Sequence, residues 1–157
     1  AKGASQQLVQ LTGALRNLAA MPGGGARKAF VQCGCIEALC GVVGAAPSQL
    51  ELCLNACRVL SKLSLFEDVR ARILASPPHL AALLQVLARH EASPTLLVRC
   101  CFILANLTST HEDARRAVAA AAAPQLLSLL HARAAAFIAA AVASTTLAAT
   151  AVAAAAR

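Results

Sequence analysis

Apolar residues recur along this chain at the three- and four-residue steps of a helix, and the helical stretches themselves recur. Leu8, Leu11, Leu15 and Leu18 form one apolar face of a helix predicted over residues 6–20. Its segment LTGALRNLA (residues 11–19) returns in altered form as NACRVLSKLS (55–64) and LLVRCCFILANLT (96–108). Aligning Leu15, Leu60 and Leu104 puts a second leucine three positions on in every copy, at Leu18, Leu63 and Leu107. The aligned leucines stand 45 and 44 residues apart. A step of about 40–47 residues in helical sequence marks an array of stacked repeats.

Shorter helices fill the intervals. Pro22-Gly23-Gly24-Gly25 stops the first helix. A short helix over 26–32 follows, and Gly34-Cys35-Ile36 turns into a medium one over 37–43. Its buried stripe is Ile36, Leu39, Val42 and Val43, and Gly44-Ala45-Ala46-Pro47 ends it. Ser48-Gln49-Leu50-Glu51 reads as a capping box opening a long helix to about Leu63, with Leu50, Leu54, Cys57, Leu60 and Leu63 on one face. The plan then repeats. Ser64-Leu65-Phe66-Glu67 is a second capping-box candidate, and a short helix runs to about Ala75. Ser76-Pro77-Pro78 makes the turn. Leu80, Leu83, Val86 and Leu87 follow the earlier stripe by 44 residues each, and Ser93-Pro94 opens the next long helix. A third repeat starts at Thr110-His111-Glu112-Asp113. Pro124 begins its next helix with Leu126, Leu127, Leu129 and Leu130, and a last long helix is expected around Leu147. The expected organisation is one array: a third helix at 5–20, then repeats at 26–64, 65–109 and 110–157, the last helix alanine-rich.

Composition refines this reading. Hydrophobic residues make up 59%, with no Trp, no Tyr and four Phe, so the core is built from Leu, Val, Ile and Ala. The only methionine is Met21 and the sequence opens inside a helical pattern, which reads as a piece of a longer array. Residues 134–156 carry no charge, but most are alanine and four are hydroxylic (Ser144, Thr145, Thr146, Thr150). Phe137, Ile138, Val142, Leu147 and Val152 supply too little apolar drive for insertion, so a repeat helix is expected there and no membrane.

The net charge is +7, from 14 Lys and Arg against 7 Asp and Glu. Most of the cations are arginine, which pairs better than lysine with carboxylates and phosphates. With no basic run and no aromatic stacking platform, nucleic acid is not the expected partner; an acidic protein surface is. Glu67-Asp68 precedes Arg70 and Arg72, and Glu112-Asp113 precedes Arg115 and Arg116, spacings that predict ion pairs within each helix.

The seven cysteines are odd in number and fall inside helical runs, as packed reduced thiols do. Cys33-x-Cys35 with Cys40 lacks the paired spacing of a zinc site. Gly23-Gly24-Gly25 matches no phosphate-loop pattern, and His79, His90, His111 and His131 fall at helix ends or turns, where solvation is expected. No catalytic residue, metal ligand or cofactor site is expected, and the chain does not read as an enzyme.

A stacked array offers its concave face, lined by the third helix of each repeat, as a binding surface. Two positions before the aligned leucines stand Gly13, Arg58 and Phe102; two after stand Asn17, Lys62 and Asn106; just after stand Arg16, Ser61 and Ala105. These face away from the leucine stripe. The candidate partner-binding groove is Arg16, Asn17, Arg58, Lys62, Arg99, Phe102 and Asn106. An asparagine amide can clamp an extended peptide through both its donor and its acceptor, and the cations suit acidic side chains. Residues that simply face water are the alternative.

LRNLA and FILANLT resemble the third-helix motif of armadillo repeats, and GCIEALCGVV resembles the preceding G-x-I-x-x-L helix. The resemblance implies an all-α, right-handed α-solenoid of armadillo-type three-helix repeats. In the nuclear-import adaptors of this superfamily the groove carries ladders of Trp and Asn. Here Gly13, Arg58 and Phe102 hold the Trp places and Lys62 interrupts the Asn ladder, so a basic localisation peptide would meet positive charge. The succession LTGALRNL, NACRVLSKLS, LVRCCFILANLT is most similar to a ciliary and flagellar branch of the family, over about residues 8–130. That branch implies a non-catalytic adaptor or structural factor in axoneme assembly, working in cytoplasm and cilium within a larger complex. The implied partners are axonemal and radial-spoke proteins with acidic surfaces. A general armadillo peptide receptor in transport or signalling is the alternative.

Overall fold

The computed structural model describes residues 2–21, 25–109 and 112–155, and every regular element in them is a helix. In chain order these are α1 (Lys2–Leu18), α2 (Gly25–Gln32), α3 (Cys35–Ala45), α4 (Leu50–Leu63), α5 (Glu67–Leu74), α6 (Pro77–Arg89), α7 (Pro94–Thr108) and α8 (Glu112–Ala155). The chain divides into two units, residues 1–122 and 123–157. Pro22, Gly23 and Gly24 of the predicted first stop, the Thr110-His111 start of the third repeat, and Ala156 lie outside the described residues.

In the first unit the short, medium and long order appears twice, as α2–α3–α4 and α5–α6–α7. The longer helices pack on their counterparts one period away: α1 on α4, α4 on α7, and α3 on α6. One repeat cannot bury its apolar stripe alone, so like stacks on like and the core runs through successive repeats. This is an all-α solenoid of armadillo type. The predicted stripes carry it: Ile36, Leu39 and Val43 of α3, and Leu80, Leu83, Val86 and Leu87 of α6, are buried. Leu52, Leu60, Ile103 and Leu107 of the long helices join them. Each such side chain contributes about 1.5–3 kcal/mol. At Gly44 an added Cβ would come within 3.3 Å of the Ala82 Cβ, which is how closely α3 and α6 approach.

Local chemistry sets the helix ends, though not always as expected. Gly34, between α2 and α3, has φ 71°, a left-handed conformation open to glycine at little cost. Pro77 and Pro94 occupy first turns, where no amide hydrogen is needed. Neither capping box forms. The N-caps are Gln49 for α4 and Phe66 for α5, and neither makes a side-chain cap bond; nor does Ser93 before α7. Ser64 is instead fully buried, donating to the Ser61 carbonyl at 3.1 Å and accepting from Asn106 Nδ2 at 2.9 Å. A tertiary bond has taken the hydroxyl that the local motif would have used.

The leucine face of α1 also departs from expectation. Val9 and Thr12 are its buried residues, whereas Leu11 is 61% exposed and Leu8 and Leu18 are exposed as well. Among the described residues the substantial helix neighbour of α1 is α4. In α4 the matching positions Cys53, Ala56, Leu60 and Leu63 are buried, because α3 packs on that helix too. Leu50, expected on the buried face of α4, is exposed at its N-terminus.

Residues 123–155 of the second unit are helical. Pro124 does not begin a helix; it lies inside α8, within an alanine-rich run of the highest helix propensity and with no glycine to break it. Of the predicted stripe there, Leu129 is buried while Leu127 and Leu130 are exposed, as are Phe137 and Ile138. Among the described residues no single helix is long and apolar enough to cross a membrane. The bent pair α2–α3 approaches that composition, but Phe30, Ile36, Leu39 and Val43 are buried within the first unit.

Candidate partner-binding cavity

The stacking of α1, α4 and α7 brings residues one period apart to neighbouring positions on one face. There a cavity of about 240 Å³ is lined by Arg16 and Asn17 of α1, Ala20 just beyond it, Arg58 and Lys62 of α4, and Arg99 of α7. Arg58 and Lys62 stand four residues apart on one helix and so share its face.

Arg16 is held by neutral groups. Arg16 Nη1 donates to Asn55 Oδ1 at 3.0 Å, and its Nε and Nη2 each reach Asn17 Oδ1 at 3.4 Å. Asn55 is buried, with its Nδ2 donating to the Val9 carbonyl at 3.4 Å, so α4 reaches into α1 and fixes the guanidinium. These acceptors satisfy hydrogen bonds without cancelling charge. Among the described residues no carboxylate pairs with Arg16, Arg58, Lys62 or Arg99. Arg99 also keeps its Nε out of water with no protein acceptor. Four like charges around one cavity repel one another, and the resulting positive potential attracts anions.

Five of the seven predicted groove residues therefore meet in one place: Arg16, Asn17, Arg58, Lys62 and Arg99. Phe102 and Asn106 are not in the cavity lining. Phe102 is exposed on α7, and Asn106 is half-buried with its amide donating to Ser64. Ser61, expected to be accessible, is buried and donates to the Arg58 carbonyl at 3.1 Å. Sequence reasoning misses Asn55, whose one signal is being a lone amide among the small apolar positions Cys53, Ala56 and Cys57.

Elsewhere in the first unit some arginines do meet carboxylates. Arg72 Nη1 donates to Glu37 Oε1 at 2.8 Å, and that bond holds the Glu37 carboxyl below the usual range. Arg27 Nε lies 3.8 Å from Asp68, with its guanidinium 4.6 Å over the Phe66 ring. These links join successive repeats. Where pairs within α5 are expected, Arg72 reaches α3 instead, and Arg70 Nη1 donates to the Ser64 and Leu65 carbonyls at 3.1 and 2.7 Å. In α8 the expected pairs form, Arg115 with Glu112 at 3.1 Å and Arg116 with Glu112 at 3.5 Å.

Five thiols are buried, but Cys33 and Cys101 are exposed, contrary to the packed reading. Burial pushes Cys40 up to about 12 and Cys53 to about 11. The Cys57 thiol, 4.0 Å from Cys100, is raised first by that hydrogen bond and then by burial. A nucleophilic thiolate needs the opposite shift. Among the described residues no three His, Cys, Asp or Glu side chains gather as a metal site. His90, expected in solvent, is half-buried with Nε2 2.7 Å from the Pro47 carbonyl. A carbonyl only accepts, so Nε2 carries the hydrogen. His79 is half-buried too, and His131 is exposed; His111 lies outside the described residues.

Over 108 residues, 69% of this chain, the sequence is 32% identical to armadillo repeat-containing protein 2 of Mus musculus and to that of Bos taurus. It is 30% identical to the Homo sapiens protein over the same length. The matched stretch spans 12% of each of those proteins. No family model matches the chain, and no solved structure matches it. The armadillo likeness thus extends over part of the chain in sequence as well as in fold.

Proposed function

We propose that this chain is part of a non-catalytic interaction scaffold whose third-helix face, formed by α1, α4 and α7, holds an acidic segment of a protein partner. The observation that carries this reading is the cavity with four cations and no paired carboxylate among the described residues. Arg16, Arg58, Lys62 and Arg99 supply the charge. Asn17 stands at the same cavity, where its amide can meet a peptide backbone, and exposed Phe102 offers an apolar contact on α7. Asn106 contributes through whatever capacity its bond to Ser64 leaves.

The finer part of the proposal is a role in cilium or flagellum axoneme assembly, with radial-spoke components as partners and the chain working inside a larger complex. It is supported by the order of the motifs LTGALRNL, NACRVLSKLS and LVRCCFILANLT, which resembles a ciliary branch of armadillo proteins. The test is the double reversal Arg58→Glu with Lys62→Glu, used in pull-downs with radial-spoke and other axonemal extracts. Capture should fall at least about tenfold while helical circular dichroism is unchanged, since each lost charge-assisted bond is worth about 1.5–3 kcal/mol. Undiminished capture would move the binding surface elsewhere on the chain.

A further inference from the structure

We infer that the cavity between α1, α4 and α7 recognises a phosphorylated side chain, a phosphoserine or phosphothreonine carried on the partner's segment. This rests on the reading of that face as the partner-binding one and adds the chemical group it reads. A glutamate or aspartate brings one charge and two oxygens. A phosphoryl ester brings a charge of about −1.5 to −2 near neutral pH and three strong acceptor oxygens. Four cations from three helices, with no carboxylate partner among the described residues, match the second inventory far better.

The donors are also of the right kind. Three of the four are arginines, whose planar forks bind phosphate oxygens bidentately. Arg16 is fixed before any ligand arrives, by the buried Asn55 on one side and Asn17 on the other, so little ordering remains to be done on binding. An anion held among the forks would also offset part of the mutual repulsion of the four charges. A nucleic-acid strand offers phosphates as well, but it wants a basic track with aromatic faces for its bases. Here the cations converge on a single cavity and no aromatic residue lines it.

The test uses fluorescence anisotropy with three short degenerate peptide pools, identical except for a central phosphoserine, glutamate or serine. The phosphoserine pool should bind at least about tenfold tighter than the glutamate pool, and the serine pool should not bind measurably. Arg58→Gln and Arg99→Gln, checked for unchanged helical circular dichroism, should each weaken phosphoserine binding about tenfold, whereas Arg89→Gln on α6 should not. Equal binding of the phosphoserine and glutamate pools, both lost in Arg58→Gln, would overturn the phosphoryl assignment and leave the acidic-partner reading standing. Phosphoserine binding indifferent to Arg58→Gln and Arg99→Gln would overturn the site. Absence of binding by every pool would overturn the inference, while the axonemal pull-down judges the scaffold reading separately. A single-stranded DNA oligonucleotide that displaces the labelled pool at lower concentration than the unlabelled pool does would overturn it in favour of nucleic acid.

Discussion

Two of the surroundings in which arginine stands within the first unit contrast. Along α2, α3 and α5 it is a tie: Arg72 binds Glu37, and Arg27 binds Asp68 while lying over Phe66, so each cation is spent joining one repeat to the next. Around the cavity of α1, α4 and α7 it is a surplus. Arg16, Arg58 and Arg99, with Lys62, have no carboxylate partner among the described residues, and the acceptors that hold Arg16 are neutral amides. A net charge of +7 says that cations outnumber anions; it does not say where. Folding decides that, by bringing acids of α3 and α5 to Arg72 and Arg27 and, among the described residues, none to the cavity cations.

The contrast breaks most completely if the stack that creates both surroundings is loosened. Leu60 is fully buried in α4, the helix that packs on both α1 and α7. Leu60→Ala should lower the unfolding free energy by about 2–5 kcal/mol in urea titrations, with partner binding and helical signal disappearing in one transition. Removing the neutral clamp comes next. Asn55→Ala deletes the acceptor for Arg16 and the donor to the Val9 carbonyl, and should cost about 1–3 kcal/mol in the same titration.

Smaller effects separate the two kinds of arginine. Glu37→Gln removes the acid of a solvent-exposed pair, so its cost at pH 7 should stay below about 1 kcal/mol. The Glu37 carboxyl titrates below its ordinary 4.5 in the folded chain. Its contribution is therefore present above about that pH and is lost as pH falls through the lower folded value. Thermal midpoints of the parent and Glu37→Gln should differ at pH 7 and converge in acid. The smallest effect should have the other sign. Arg58→Gln relieves repulsion instead of breaking a pair, so stability at low salt should be unchanged or higher, within about 0.5 kcal/mol. Arg72→Gln should be lower. A loss in Arg58→Gln as large as that in Arg72→Gln would mean that Arg58 is tied after all.

Much of this was legible in the residues. The 44-residue agreement of Ile36, Leu39, Val42 and Val43 with Leu80, Leu83, Val86 and Leu87 is a periodicity, and α3 does pack on α6. The same register puts Arg16, Asn17, Arg58, Lys62 and Arg99 on one face, and the structure gathers them at one cavity. What could not be read is what depends on competition between local and distant partners. Ser64 has the spacing of a cap, but Asn106, 42 residues on, binds it instead. Glu67-Asp68 and Arg70-Arg72 have the spacing of helix pairs, yet Arg72 finds Glu37 and Asp68 finds Arg27. Leu8, Leu11, Leu15 and Leu18 form a helix face as good as that of α4, but burial belongs to neighbours: α4 packs on α1, and Val9 and Thr12 are the α1 residues that are buried. Pro124 reads as a start because proline suits first turns, and the alanines on either side carry the helix through it.

Two lysines stand one in each surrounding, Lys28 on α2 and Lys62 at the cavity on α4, and both are exposed. Amine-reactive crosslinking of the native assembly, read by mass spectrometry, therefore compares the two faces in one experiment. Crosslinks from Lys62 to partner chains, with Lys28 joined to none, are the expected result. Partner crosslinks at Lys28 with Lys62 left unmodified by partners would contradict the binding role of the uncompensated charge.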